Sequence, residues 1–233
     1  MASVVIMAGG AGLRLRPLTS VVPKALAPIG GEALIDHQIG HLHAQGFDRI
    51  VVTTGYQAEF IEAYVGARYP HVVFVREHHP LGTAGPLAGA FAHVGDGPFL
   101  VLNCDVLTTG DLRAVMGTVA AHSSPLAVAT VEHSTVVPFG VIAESDGNDI
   151  YRIIEKPALL HDIVSGVYAA DPSISEFLIP GEALDMDQLI ERVIKAYGSV
   201  ARHRLSGRWL EVGRPEDLGR AIAFVADNSV ARL

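Results

Sequence analysis

At 233 residues, 49% of them hydrophobic and 18% charged, the chain is long enough to bury a sizeable core and is neither fibrous nor disordered in composition. Its formal net charge of −8 excludes the basic surface that a nucleic-acid binder needs, so any cationic site has to be local. One cysteine, Cys104, excludes an internal disulfide framework; with no charged and then apolar leader and no run of 18 apolar residues, the expectation is a cytoplasmic protein without membrane or nucleic-acid partners.

The first element, SVVIMA (3–8), is β-branched and almost wholly apolar, the pattern of a strand buried on both faces. EALIDHQIGHLHAQG (32–46) places Leu34, Ile35, Gln38, Ile39 and Leu42 at helical spacing and ends on Gly46 as a C-cap. RIVVTTG (49–55) predicts the next strand, and the alternation repeats. AEFIEAYVGA reads helical, VVFV (72–75) extended, TAGPLAGAFAHV helical, PFLVLNCD (98–105) extended and DLRAVMGTVAAH helical. After PLAVATVE (125–132) the segments shorten, and FGVIAE and DIYRIIE, separated by SDGND, predict a hairpin. DIVSGVYAA (162–170) predicts a strand, MDQLIERVIKAYG (186–198) a helix, and RHRLSGRWLEVG (202–213) a hairpin leading to a last helix from Pro215, with Glu216 and Asp217 in its first turn. No linker, low-complexity stretch or repeat interrupts this order, so one α/β domain over 1–233 with a mixed sheet is expected.

Chemistry concentrates in four places. MAGGAGLRLRPLTSVVPKALAPIGG (7–31) follows the first strand, where glycines let backbone N–H groups approach an anion closely. Leu15 stands where a dinucleotide fingerprint needs its third glycine, and no Walker string is present; Arg14, Arg16 and Lys24 instead suit a polyphosphate. Pro17, Pro23 and Pro28 stiffen the loop. In LVLNCDV (100–106), Asp105 ends an apolar strand where open α/β sheets bind ligands; it is a candidate Mg²⁺ ligand or, equally, a plain strand terminus or turn cap. RIIEKP (152–157) and RWLEVGRPEDL (208–218) end predicted strands on Glu155 and Glu211, each alone the mark of an exposed charge pair. His41 and His43, two apart on a helix, face different ways and make a poor chelate. Cys104 reads as a small buried residue whose place beside Asp105 suggests that thiol reagents block activity, and Trp209 reads as packing.

In this order the residues resemble the sugar nucleotidyltransferases, which join a nucleoside triphosphate to a sugar 1-phosphate. AGGAGLRLRPLT with PK at 23–24, LGTAGPL (81–87), LNCDVLT (102–108), EKP (155–157), GVY (166–168) and WLEVGRPEDL (209–218) carry the likeness over nearly the whole chain. The resemblance implies a Rossmann-like three-layer fold with a central mixed, mostly parallel sheet. It assigns Ala8, Gly9, Gly10, Gly12, Gly82, Thr83 and Ala84 to the nucleotide, with Gly85 starting the next helix. Arg14, Lys24, Asp105 and Lys156 would be catalytic, Asn103, Glu155, Ser165 and Gly166 would face the sugar, and Asp105 with Glu211 would hold Mg²⁺.

Three positions depart from the family pattern. Glu211 replaces the usual Asp, Cys104 a smaller residue, and Val164 a sugar-binding Asn, whose contact is either lost or rebuilt by Ser165. The implied reaction is in-line attack by the sugar phosphate on the α-phosphorus, with pyrophosphate leaving and no enzyme nucleophile required. LGTAG is most like guanylyltransferases acting on mannose 1-phosphate or a related hexose or heptose 1-phosphate. Uridylyl or thymidylyl transfer, and a non-catalytic homologue that only binds NDP-sugar, stand as alternatives. The left-handed β-helix of some relatives is expected to be absent, and a homo-oligomer is compatible with the chain.

Overall fold

Every residue of the first apolar run is buried, and the sheet is built outward from it in both directions. The computed structural model describes residues 2–230. The chain runs β1 (Ala2–Ala8), three 3-10 turns (Leu13–Leu15, Leu18–Ser20, Lys24–Leu26), β2 (Pro28–Ile29), β3 (Glu32–Ala33), α1 (Leu34–Ala44), β4 (Phe47–Thr54) and α2 (Ala58–Arg68). Next come β5 (Val73–Arg76), α3 (Leu87–Val94), β6 (Phe99–Asn103), β7 (Val106–Thr108), α4 (Leu112–Ala120) and β8 (Leu126–Val136). The remainder is β9 (Gly140–Asp146), β10 (Asp149–Glu155), β11 (Ala158–Ala170), a 3-10 segment (Pro172–Phe177), α5 (Met186–Tyr197), β12 (Ala201–Arg204), β13 (Trp209–Glu211) and α6 (Pro215–Val230).

Seven strands form the main sheet in the order β12-β8-β11-β6-β1-β4-β5. All neighbours pair parallel except at β11, which runs against both β6 and β8, so the sheet is α/β, mixed and mostly parallel as the sequence implied. Alternation along β1 sends Val4 and Ile6 to one face, under Ile35, Ile39, Ile61, Val65, Val115 and Val119 from α1, α2 and α4. Val5 and Met7 go to the other, under Leu87, Ala90, Leu189 and Val193 from α3 and α5. Each such side chain contributes about 1.5–3 kcal/mol on burial, which is why β1 needs apolar residues on both faces. A smaller cluster of Ile29, Leu34, Leu107, Val212, Ala221 and Phe224 fastens α6 and β13 beside β7.

The ends of these elements follow from local chemistry, and in places they differ from the sequence reading. Asp111 caps α4 by accepting from the Ala114 N–H, and Asp185 with Gln188 forms a capping box on α5. The helix expected from Glu32 starts at Leu34, because Ala33 and Glu32 pair with Pro28 and Ile29. The helix expected to begin near Gly85 starts at Leu87: the N–H groups of Ala84 and Gly85 both donate to Leu184 O and hold that stretch as a turn. The hairpin read at 202–213 is absent. β12 lies parallel to β8 at the sheet edge, and β13 pairs antiparallel with β7, Trp209 opposite Thr108. Gly207, at φ +79°, spends its turn on the crossing between these two partners, which lie far away in the chain.

β8 and β11 run longer than their apolar cores. Beyond Thr130 and Val164 they continue as an exposed two-stranded arm, from which the expected hairpin β9–β10 extends. The register of β11 against β8 breaks between Val164 and Tyr168, a bulge that centres on Gly166 at φ +74°. Among the described residues no helix is long and apolar enough to cross a membrane.

Candidate active site

The strand order reverses between β1 and β6, and a cavity of about 670 Å³ opens at their carboxyl ends, as expected for an open α/β sheet. The loop after β1, the turn after β6, the ends of β4 and β5 and the segment leading to α3 wall it. The Cys104 N–H donates to Met7 O at 3.2 Å and locks the two central strand ends together.

The glycines of the first loop do more than open backbone to an anion. Gly12 sits at φ +60°, and a Cβ there would come within 3.1 Å of Lys24 Cβ and 3.0 Å of Thr19. Thr19 Oγ1 donates to Gly12 O at 2.8 Å and pins the turn. At Gly9 a Cβ would lie 2.0 Å from Glu77 Oε1, so the glycine makes room for a carboxylate from the far wall. Lys24 is fixed from behind by buried Ala25 and Ala27, and the Leu34 N–H donates to Ala27 O.

Lys24 reaches across the cavity floor and pairs with Asp105 Oδ2; the two side chains are only 12% and 14% exposed. The other carboxylate oxygen, Oδ1, is buried without a partner among the described residues. A carboxylate oxygen left open on the cavity floor is a hard acceptor that fits a divalent cation, so Asp105 is the residue that would hold Mg²⁺. No three His, Cys, Asp or Glu side chains among the described residues gather into a metal site, so a cation here would complete its shell with phosphate oxygens.

Glu211 stands next to this turn, because the Val212 N–H donates to Asp105 O at 2.8 Å. Its Oε1 accepts from Arg14 Nη2 at 2.8 Å, an exposed ion pair that joins the two motifs farthest apart in the chain. Cys104 lines the cavity but is only 7% exposed; burial, and then the neighbouring Asp105 charge, push its thiol up to about 12, which disfavours the reactive thiolate.

Other expected residues fall in varied places. Gly9, Gly10, Gly12, Arg14, Lys24, Gly82, Thr83, Asn103 and Asp105 line the cavity, while Arg16 does not. Ala8 and Ala84 are buried behind the wall, Ala84 holding its loop to Leu184 O. Thr83 is tied to α5: its N–H and Oγ1 donate to Asp185 Oδ1, and the Met186 N–H donates to Thr83 Oγ1. Ser165 does not line the cavity: its side chain is buried and donates to Ala129 O at 2.9 Å, inside the sheet. Gly166 lies against Asn103, where a Cβ would come within 2.9 Å of Nδ2. Glu155 and Lys156 stand exposed on the arm, outside the cavity wall, with Lys156 at φ +47°. Trp209 packs on the core and its Nε1 donates to Ser165 O.

Two residues of the site were missed. Gln38 falls by spacing on the apolar stripe of α1, but its Nε2 donates to Asn103 O and Val106 O, either side of Asp105. A polar residue inside that stripe was the available signal. Glu77, in the loop after β5, belongs to none of the four motifs. It is half-buried in the cavity, accepts from the Leu81 N–H at 3.0 Å, and burial raises its carboxyl above the ordinary value.

Comparison with known proteins adds an independent line. The nucleotidyl transferase family model matches residues 3–228. Mannose-1-phosphate guanylyltransferase 1 of Arabidopsis thaliana is 32% identical over 234 residues, covering 96% of this chain and 64% of its own. Mannose-1-phosphate guanylyltransferase catalytic subunit beta of Dictyostelium discoideum is 30% identical over 220 residues, 91% of this chain and 61% of its own. The chain thus spans less than two thirds of the length of these curated relatives. The crystal structure of HddC from Yersinia pseudotuberculosis superposes with a TM-score of 0.76 at 26% identity, covering 97% of this chain and 100% of that one.

Proposed function

The chain belongs to the nucleotidyl transferase family, and from that premise we propose that it transfers guanylyl from GTP to mannose 1-phosphate or a related hexose or heptose 1-phosphate, releasing pyrophosphate. The observation that carries this reading is the Asp105–Lys24 pair, with one carboxylate oxygen left open, on the floor of a cavity walled by the loop from Gly9 to Arg14. Two mutually repelling anions have to be held in line there, and an attacking phosphate oxygen that is already charged needs no general base.

Lys24 neutralises phosphate charge at the reacting centre. Arg14 is 62% exposed, and its surface ion pair with Glu211, worth under about 1 kcal/mol, lets the guanidinium turn to the leaving pyrophosphate. Lys156, on the arm, is the cation for the acceptor's phosphate, with Glu155 beside it for sugar hydroxyls. Mg²⁺ held by Asp105, with Glu211 as the second carboxylate, would supply charge neutralisation at the phosphates when bound.

Support for guanine comes from the relatives' specificity and from Glu77. Guanine presents two adjacent donors, N1–H and the N2 amine, to one carboxylate. Uracil and thymine present a single donor flanked by carbonyl oxygens, which a carboxylate repels. The test is pyrophosphate release with Mg²⁺ across the common nucleoside triphosphates and a panel of hexose, aminohexose and heptose 1-phosphates, with Asp105→Asn as control. Release with GTP and mannose 1-phosphate or a close relative is expected. Release with UTP or dTTP alone overturns guanylyl transfer, and tight nucleotide binding without turnover in any combination overturns transfer itself.

A further inference from the structure

Asp105 stands on a tight turn between β6 and β7, and that turn is held from three sides. Two of the ties are backbone bonds that any sequence can make: the Cys104 N–H to Met7 O and the Val212 N–H to Asp105 O. The third comes from a side chain. Gln38, on the buried face of α1 and 3% exposed, donates from Nε2 to Asn103 O at 2.9 Å and to Val106 O at 2.7 Å, straddling Asp105 in sequence. Both partners are carbonyl oxygens, which only accept, so the amide can present only its NH₂ group to them. That orientation leaves Gln38 Oε1 buried with no partner among the described residues.

An apolar side chain of the same length would fill the same space but would leave the Asn103 and Val106 carbonyls without these donors. What the amide adds at this position is a two-donor clamp across the turn. From this geometry we infer that Gln38 is a positioning residue for the site: it fixes the Asn103–Val106 turn so that Asp105 presents its open oxygen to the phosphates and their cation. The inference rests on the transfer reading given above. It also makes α1 a rigid link between the two charged groups, because the same helix begins at Leu34, whose N–H holds the Lys24 turn through Ala27 O.

Gln38→Met tests this, since it keeps length and packing while removing both donors. Three measurements separate positioning from simple structural support: Mn²⁺ affinity by electron paramagnetic resonance in the presence of GTP, the split between kcat and KM for GTP, and thermal melting. Partners that orient a metal ligand typically set affinity or activity by about 10–100-fold. The expected result is therefore a loss of that size in Mn²⁺ affinity and in kcat, with KM for GTP unchanged. A folded Gln38→Met protein with wild-type kcat and Mn²⁺ affinity overturns the inference.

In the wild-type protein, the Gln38 side-chain NH₂ should exchange slowly with solvent by NMR; free exchange overturns the clamp, and if Gln38→Met fails to fold this measurement decides alone. Wild-type protein that releases no pyrophosphate while its Gln38 amide is protected overturns the transfer reading and leaves the clamp standing.

Discussion

Replacing Lys24 with methionine leaves the Asp105 carboxylate in a site where the side chain is 14% exposed and Oδ1 already lacks a partner. Removing one member of a buried ion pair costs about 3–5 kcal/mol, mostly from the charge left behind. The cavity admits water on one side, so the lower end applies, about 3 kcal/mol for Lys24→Met. Asp105→Asn should cost less, about 1–2 kcal/mol, because the freed ammonium can swing toward the cavity and solvate. The double variant, with a neutral amide and no cation, should then be more stable than Lys24→Met alone, giving a strongly non-additive cycle. Urea unfolding at pH 7 with EDTA present measures all four proteins. Lys24→Met within about 1 kcal/mol of wild type, or a double variant whose loss equals the sum of the singles, refutes the argument. Both single variants should also lose pyrophosphate release by orders of magnitude while remaining folded.

Four further outcomes follow from the described contacts. Ser165→Ala should destabilise by about 1 kcal/mol in urea melts, through loss of the bond to Ala129 O, and leave KM for the sugar phosphate unchanged; a raised KM with full stability would restore Ser165 to the sugar site. Cys104 should resist iodoacetamide at pH 8 in the native protein, read by intact mass, because it is buried and burial pushes its thiol up; rapid alkylation without unfolding contradicts this. Gly9→Ala should leave the thermal melt nearly unchanged, because the added Cβ meets only the far end of the Glu77 side chain, which can turn away into the cavity; a large loss that Glu77→Ala relieves would contradict this. The bond from Arg76 holds the Glu62 carboxyl below its ordinary value of 4.5, so its contribution, up to about 1 kcal/mol, is present at neutral pH and lost as pH falls through the folded value. The stability gap between wild type and Glu62→Gln should therefore shrink from pH 7 to pH 3, and a gap that widens would refute the assignment.

The parts of the fold written in contiguous pattern were readable. The all-apolar run that became β1, and the run into Asp105 that became β6 and its turn, needed only periodicity and a strand-end carboxylate. What failed depends on distant partners. Nothing near 202–213 says that Ala201–Arg204 will join β8 and Trp209–Glu211 will join β7, so local turn chemistry suggested a hairpin. Ser165 looked available because a bulge decides which way its side chain turns, and the bulge exists only once β11 meets β8. Gln38 shows the limit from the other side: the stripe was right, but the two carbonyls that give the amide its work lie 65 and 68 residues away. The motif strings supplied Lys24, Asp105, Arg14 and Glu211 singly, and the structure paired them in a way that spacing could not indicate.

The Arg14–Glu211 contact spans 197 residues, and the bond from Val212 to Asp105 closes the same corner. During synthesis the glycine-rich loop after β1 and the Asp105 turn therefore emerge long before the strand that completes them. At ribosomal rates of about 5–20 residues per second, the stretch from Asp105 to Val212 takes roughly 5–20 s to appear. Over that interval the nascent chain carries a charged half-site with no β13 against β7, and the edge of β8 lacks β12. The Arg14–Glu211 corner is thus a late product of folding, and a chain cut short before Glu211 leaves the ribosome without the contact that joins its two ends.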